Sequence, residues 1–356
     1  MKNADYWRRR FILLEDAQSK KGAEYFAELE KQYRKASMAV QRDVERWYAR
    51  FAVNNEITMQ EARKLLNSNE LEEFRWDVFE YIEKGKTLNY SQQWAKQLEN
   101  ASARFHISRL EAIKIQMQNH VETLYGNEHD EISSLMSKIY TEGYYRTAFE
   151  LQLGFRIGYD LMKLDTNRIQ KVMSKPWTVD GRTFSDRIWK QKSQLISELN
   201  NMLTQAIIRG QNPHVVTVEI ANRFNVSKGQ AGRLVMTEAA FFNSASTRDC
   251  YKDLGVKQYE IVATLDKRTS EICRALDSTV FKMSEYEVGA TAPPFHVWCR
   301  TTTAPYFDDE FEIDIERAAR DENGKVYFVP EMDYKEWKKR FVDGGSKEGL
   351  KEKDTP

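Results

Sequence analysis

Apolar positions early in the chain recur every three or four residues, the spacing that lines side chains up on one face of an α-helix. Phe26, Leu29, Tyr33, Ala36, Val40, Val44, Trp47 and Phe51 trace one such stripe. Trp94, Leu98, Ala101 and Phe105 open a second, which Leu110, Ile113, Met117, Val121 and Leu124 continue. Between them Thr58 and Glu61 have the spacing of a reciprocal N-terminal cap. A further helix is expected from about residue 131 to 153, with Gly154 and Gly158 loosening the chain that follows. No proline occurs before Pro176, so nothing in this stretch removes a helical hydrogen bond by that route. The pattern predicts an elongated helical region over residues 1–175.

From Trp177 the pattern changes. A helix is expected to end at Gly210, with Pro213 just beyond it. "PHVVTVEIANRF" and "SKGQAGRLVMTEAAFFNSASTRDCYKDLG" read as two more helices, the second stopping at Gly255. "KQYEIVATLD" and "STVFKMSEY" are the first strand-like segments, short and rich in β-branched and aromatic residues. The expected fold class is mainly α, an elongated helical N-terminal region followed by a small α+β C-terminal module over residues 176–310. Residues 311–356 read as a charged, partly disordered tail, with a short helix in "MDYKEWKKRFV" and none in "DGGSKEGLKEKDTP". No internal repeat is visible.

Composition narrows the function classes. The chain has 356 residues, room for two or more domains, and its 54 lysines and arginines balance 54 acids. A neutral chain is a poor nucleic-acid coat or membrane-surface binder, so any DNA contact should be weak. Arg8-Arg9-Arg10 is expected to be a solvated helix face, and the aromatic stripes to be bundle core rather than platforms for bases. No apolar run reaches the roughly 18 residues of a spanning helix. The N-terminal "FILL" is too short for a secretory signal, so maturation in the cytoplasm is expected. Three cysteines build no disulfide framework, which agrees with a reducing compartment.

Those cysteines matter for another reason. "PPFHVWCR" places His296 and Cys299 three apart, and Cys273 lies upstream in "TLDKRTSEICRALDSTVFK". Thiolate and imidazole at short local spacing suit tetrahedral zinc, with the halves of the site brought together by folding. Ser270 stands where a Cys-x-x-Cys half would carry its first cysteine, and a hydroxyl is a poor zinc ligand. Asp266 or Cys250 is a candidate fourth ligand, or the position is open; the alternative is a metal-free β module with a buried thiol at Cys273. No catalytic residue stands out, since phosphate-loop, His-Glu-x-x-His and Gly-x-Ser-x-Gly patterns are all missing. Glu-x-Glu, a pair used by ADP-ribosyltransferases, occurs at "ELE", "EYE" and "EFE", but among 54 acids such matches arise by chance.

Four segments occur in a family order: "WTVDGRTFSDRIW", "GRLVMTEAAFFNSAS", "ATLDKRTSEICRALDSTVF" and "PPFHVWCRTTTAPYF". Together, from Trp177 to Phe307, they resemble phage head morphogenesis proteins of the Mu F-like minor head family. Arg233, Thr237 and Glu238 match its Arg-Thr-Glu-like helix; Asp266, Arg268, Thr269 and Cys273 match its Asp-x-Arg-Thr-Cys-x-x-Cys element; Pro294 and Arg300 belong to the closing Pro-Pro-x-His-x-x-Cys-Arg. Family members with both cysteines look like zinc binders, and here Ser270 replaces the first. The pairing of Asp266 with Arg268 is expected to fix the turn between helix and strand. The resemblance implies a structural, non-enzymatic minor capsid protein that associates with the portal protein and other head proteins inside the procapsid. It implies assistance to head assembly and DNA packaging, and ejection with the genome in some members. Its place is then the host cytoplasm during assembly and afterwards the interior of the virion head. The long helical stripes are the expected portal-docking surface. The rival classes are an ADP-ribosyltransferase-like enzyme and a genome-associated DNA-binding protein.

Overall fold

The protein is described from a computed structural model over residues 3–54, 73–74, 107–161, 163–209, 211–307, 327–328 and 332–352. The Thr58–Glu61 cap and the stripe from Trp94 to Phe105 lie outside these residues. Long helices dominate, as the patterning predicts: α1 (Ala4–Asn54), α2 (Arg109–Phe155), α3 (Thr166–Ser174), α4 (Phe184–Ile208) and α5 (Pro213–Asp253). No helix among the described residues is long and apolar enough to cross a membrane. The remaining elements are the two-residue strands β1 (Glu73–Phe74), β2 (Ile107–Ser108) and β3 (Ile157–Gly158), then β4 (Gln258–Val262), α6 (Glu271–Leu276), β5 (Val280–Lys282), β6 (Thr302–Tyr306), β7 (Tyr327–Phe328) and α7 (Tyr334–Phe341). The small sheet has the antiparallel order β5-β4-β6.

The chain forms two compact units that interleave along the sequence, unlike boundaries at 175 and 310. One is built from Met1–Glu24, Ser133–Gly181 and Arg233–Pro356; the other from Tyr25–Ile132 and Arg182–Gly232. In the second unit the α1 stripe is spent on the core: Leu29, Tyr33, Val40 and Val44 are buried, and Tyr33 meets the Tyr125 ring at 6.0 Å. Those α1 side chains face the core, so this part of the expected docking surface is not open to a partner, while the second stripe from Trp94 to Phe105 lies outside the described residues. Beneath it, the buried Glu128 accepts a hydrogen bond from Tyr33 at 2.7 Å, and burial raises its carboxyl to about 7.

The first unit gathers Trp7, Phe11, Tyr144, Phe149, Tyr251, Tyr259, Ile261 and Trp337 into one apolar core. Arg8 and Arg10 are not a solvated face. Arg8 pairs with the buried Glu260 of β4, and Arg10 holds Glu150 of α2 through two contacts of 2.6 Å. Gly154 admits the Trp7 ring: a Cβ there would lie 2.2 Å from its Cη2, so this glycine serves close approach rather than loosening. The short helix expected in "MDYKEWKKRFV" is α7, and it is packed into this core. Asp333 caps α7 by accepting from the Glu336 amide at 2.8 Å, and Trp337 and Phe341 are fully buried. The Trp337 indole donates to Gln152 at 2.8 Å, so an amphipathic helix brings two large rings into the core.

Candidate metal centre

The site is built on the sheet of this first unit. After β4 the chain turns at Asp266, whose carboxylate accepts the Arg268 amide at 2.7 Å and both Arg300 guanidinium nitrogens at 2.7 Å. The Arg300 bonds, followed by the Arg268 amide, hold this carboxyl well below its usual range. The exposed Arg268 guanidinium also pairs with this carboxylate, at 3.8 Å, so Arg268 joins the expected turn through its amide and its charge while Arg300 is the closer ion-pair partner. Thr269 completes the turn, donating to the Thr264 carbonyl at 2.6 Å.

Ser270 then starts α6. Its hydroxyl accepts from the Cys273 amide at 3.2 Å, an N-cap that satisfies one of the orphan donors of the first turn. This is the physical role of the serine that interrupts the Cys-x-x-Cys pattern. It also sets the Cys273 thiol at the start of the helix. The second half of the site arrives after β5, through the cis peptide Pro293–Pro294 and the loop before β6. Trp298, between His296 and Cys299, has φ of +62°, a left-handed turn that costs a non-glycine residue about 1–2 kcal/mol. Its amide reaches the Thr237 hydroxyl on α5 at 3.4 Å.

The loop and α6 bring three ligand atoms within 4.8 Å of one another, those of Cys273, His296 and Cys299. His296 Nε2 is 3.1 Å from Cys273 Sγ, and the two sulfurs are 3.9 Å apart. His296 Nδ1 lies 2.7 Å from the Val297 carbonyl, which only accepts, so this nitrogen carries a proton and the ring is oriented with Nε2 toward the thiols. The hydrogen bond from Cys299 is the largest influence on Cys273, lowering it to about 5, with the Ser270 and Thr301 hydroxyls assisting. The same contact, reinforced by burial and the charge on Cys273, pushes Cys299 upward. Two thiols held this close favour giving up a proton to a bound cation. Two soft sulfurs and an oriented imidazole fit zinc.

Neither proposed fourth ligand joins them. Asp266 is engaged by Arg300, and Cys250 is fully buried in the apolar core, where desolvation raises its thiol well above the ordinary value. Three candidate protein ligands, Cys273, His296 and Cys299, remain among the described residues. The α5 motif backs this arrangement: Thr237 donates to the Arg233 carbonyl at 2.7 Å, and Glu238 accepts from the Trp177 indole at 2.9 Å. Trp177 in turn stacks on Phe241 with ring centroids 4.6 Å apart. Thr301, which follows the Cys-Arg pair, was not anticipated as a neighbour of Cys273. Only its place next to Cys299 and Arg300 in the sequence hinted at it.

Residues 197–304 match the family described as phage Mu protein F like protein, a span that holds all three candidate ligands and all of α5. The chain is 23% identical over 188 residues to an Enterococcus faecalis protein named NAD(+)--arginine ADP-ribosyltransferase EFV, covering 52% of this chain and 38% of that one. It is also 23% identical over 122 residues to an uncharacterized protein of Haemophilus influenzae, covering 34% of this chain and 27% of that one. The chain therefore spans less than two fifths of either relative. No solved structure matches it.

Proposed function

We propose that this chain, whose residues 197–304 are phage Mu F-like, is a structural minor head protein of a tailed phage that associates with the portal inside the procapsid. The observation that carries the reading is that the family match coincides with the built part of the site: α5, the Asp266–Arg300 clasp and the three ligands. In this role the protein assists head assembly and DNA packaging, works in the host cytoplasm while heads form, and ends in the virion. Cys273, His296 and Cys299 hold zinc. The ion's contribution is structural, tying α6 to the loop before β6, as small metal sites do where local apolar burial is slight. The test is purification of assembling heads and detection of this chain together with portal. A chain that never sediments with heads or portal overturns the assignment.

A second reading draws on the name of the Enterococcus relative. The Glu28–Glu30 pair lies within α1, and Glu285 ends the short 3-10 turn Met283–Glu285, with Glu287 two residues beyond it. The match covers 38% of that relative, so its transferase activity need not reside in the matched part. Incubating the full chain with labelled NAD and an arginine acceptor decides between the readings: label transfer favours the enzyme, and the head role expects none.

A further inference from the structure

The outer surface of the metal centre is apolar where surface chemistry is usually polar. Leu265 is 63% exposed, Ile272 53%, Val297 49% and Trp298 43%. Each lies within one residue of a candidate ligand or of the Asp266–Arg300 clasp. Large apolar side chains exposed on three segments that meet at one site mark an interaction surface more often than scattered single exposures do. Charge is arranged around them. Lys267, Arg268 and Arg274 are exposed and Glu271 is the one exposed acid of the same stretch whose carboxylate is not clasped by an arginine. The rim is therefore net basic on a chain that is neutral as a whole.

We propose that this rim is a protein-docking surface, and that its occupant is an apolar recess edged by carboxylates on another head protein. The apolar anchors supply the contact, and the basic edge steers the approach and excludes basic partners. Nucleic acid is the poorer fit, because four apolar side chains at the centre of the patch would be left facing phosphates. The location of the occupant rests on the head-protein reading; the surface itself does not. It also gives the protein a docking face that the buried α1 stripe does not provide.

The test uses the full chain in cells assembling heads, with a photo-crosslinking amino acid at Ile272 and, as a control, at Val218, which is exposed on α5. The expected result is a defined adduct from position 272 whose partner segment combines apolar residues with acids, and no such adduct from position 218. Reversing the edge by Arg268→Glu with Arg274→Glu should reduce the adduct by at least about tenfold, with the far-UV spectrum of the variant unchanged. Absence of an adduct, the same adduct from both positions, insensitivity to charge reversal, or an adduct to nucleic acid overturns the proposal. An adduct of the expected chemistry to a protein outside the head keeps the surface and removes the portal assignment. Co-purification with portal without any adduct at 272 does the reverse.

Discussion

Replacing Ser270 by cysteine sets two effects of opposite sign against each other. The serine hydroxyl caps α6 through the Cys273 amide at 3.2 Å, and removing a serine cap costs about 0.5–2 kcal/mol. A thiol is a poor substitute for that acceptor, so without metal Ser270→Cys should melt below the natural protein. The hydroxyl also faces the Cys273 sulfur, where it helps hold the thiolate, so a sulfur in its place enters the ligand set. Structural zinc sites bind with roughly 10–16 kcal/mol from four ligands, or about 3 kcal/mol per ligand. That figure corresponds to an affinity gain of about a hundredfold for the fourth thiolate. Zinc affinity is measured by competition with a chromophoric chelator, and melting is followed with zinc and with excess chelator. The expected pattern is a crossover: the variant is the less stable protein under chelation and the more stable one in zinc. A variant that melts lower under both conditions, with zinc affinity no tighter than the parent, refutes the placement of position 270 beside the metal. If neither protein retains zinc on purification and Cys299→Ala leaves melting unmoved, the metal reading falls with it.

Three other outcomes follow from packing and titration. Gly154→Ala should destabilise by about 1–3 kcal/mol, because its new methyl meets the Trp7 ring, whereas Gly229→Ala, with open space around it in α5, should stabilise by up to about 1 kcal/mol; denaturant unfolding reads both signs. Trp337→Ala should cost about 3–5 kcal/mol in the same assay, and a loss near zero would return the C-terminal segment to a loose tail. The carboxyl of Glu15, buried and hydrogen-bonded by Asn243, titrates at about 7, raised mainly by burial. Its folded value lies above its unfolded one, so its stabilising contribution is complete below about pH 4.5 and is lost as pH rises through 7. Glu15→Gln should flatten this slope by up to about 3 kcal/mol, at the usual 1.36 kcal/mol per unit, and an unchanged slope would show the group is not buried as described.

Much of the helical architecture was legible because periodicity reports burial directly. The stripe from Leu29 to Val44 is buried as read, although Tyr48 and not Trp47 supplies the next buried ring. Other features were hidden for definite reasons. The polar run around Asn225 and Gly229 looked like a break between helices, yet Val216, Ile220, Phe224, Ser227, Ala231 and Val235 keep one buried face across it, and α5 continues. An exposed helical glycine costs only about 1 kcal/mol, less than that face returns. Strand β6 was missed because it contains Pro305; on the edge of a sheet, opposite Tyr259, proline is tolerated. At the site, residue type and spacing sufficed to pick Cys273, His296 and Cys299, since few side chains share their chemistry. They did not reveal that Ser270 is a cap, that Arg300 is the closer partner of Asp266, or that Cys250 belongs to the core. Those roles depend on contacts 3 to 34 residues distant or on packing, which a linear pattern does not encode.

The interleaving of the two units has a consequence for how the chain is made. Residues 25–132 and 182–232 contain everything the second unit needs, so its pieces are complete once about two thirds of the chain has been synthesised. The first unit must wait. Its opening segment, with Trp7 and Phe11, emerges first from the ribosome, yet its partners Tyr251, Tyr259 and Trp337 emerge last. Until then those early aromatic side chains have no native core to enter, and closing so long a loop is slow. Premature termination near residue 310 would therefore damage the beginning of the chain as well as its end, and expressing residues 176–310 alone would leave the sheet without Trp7, Phe11 or Trp337 to pack against. The matched span 197–304 therefore takes pieces from both compact units and contains neither of them whole.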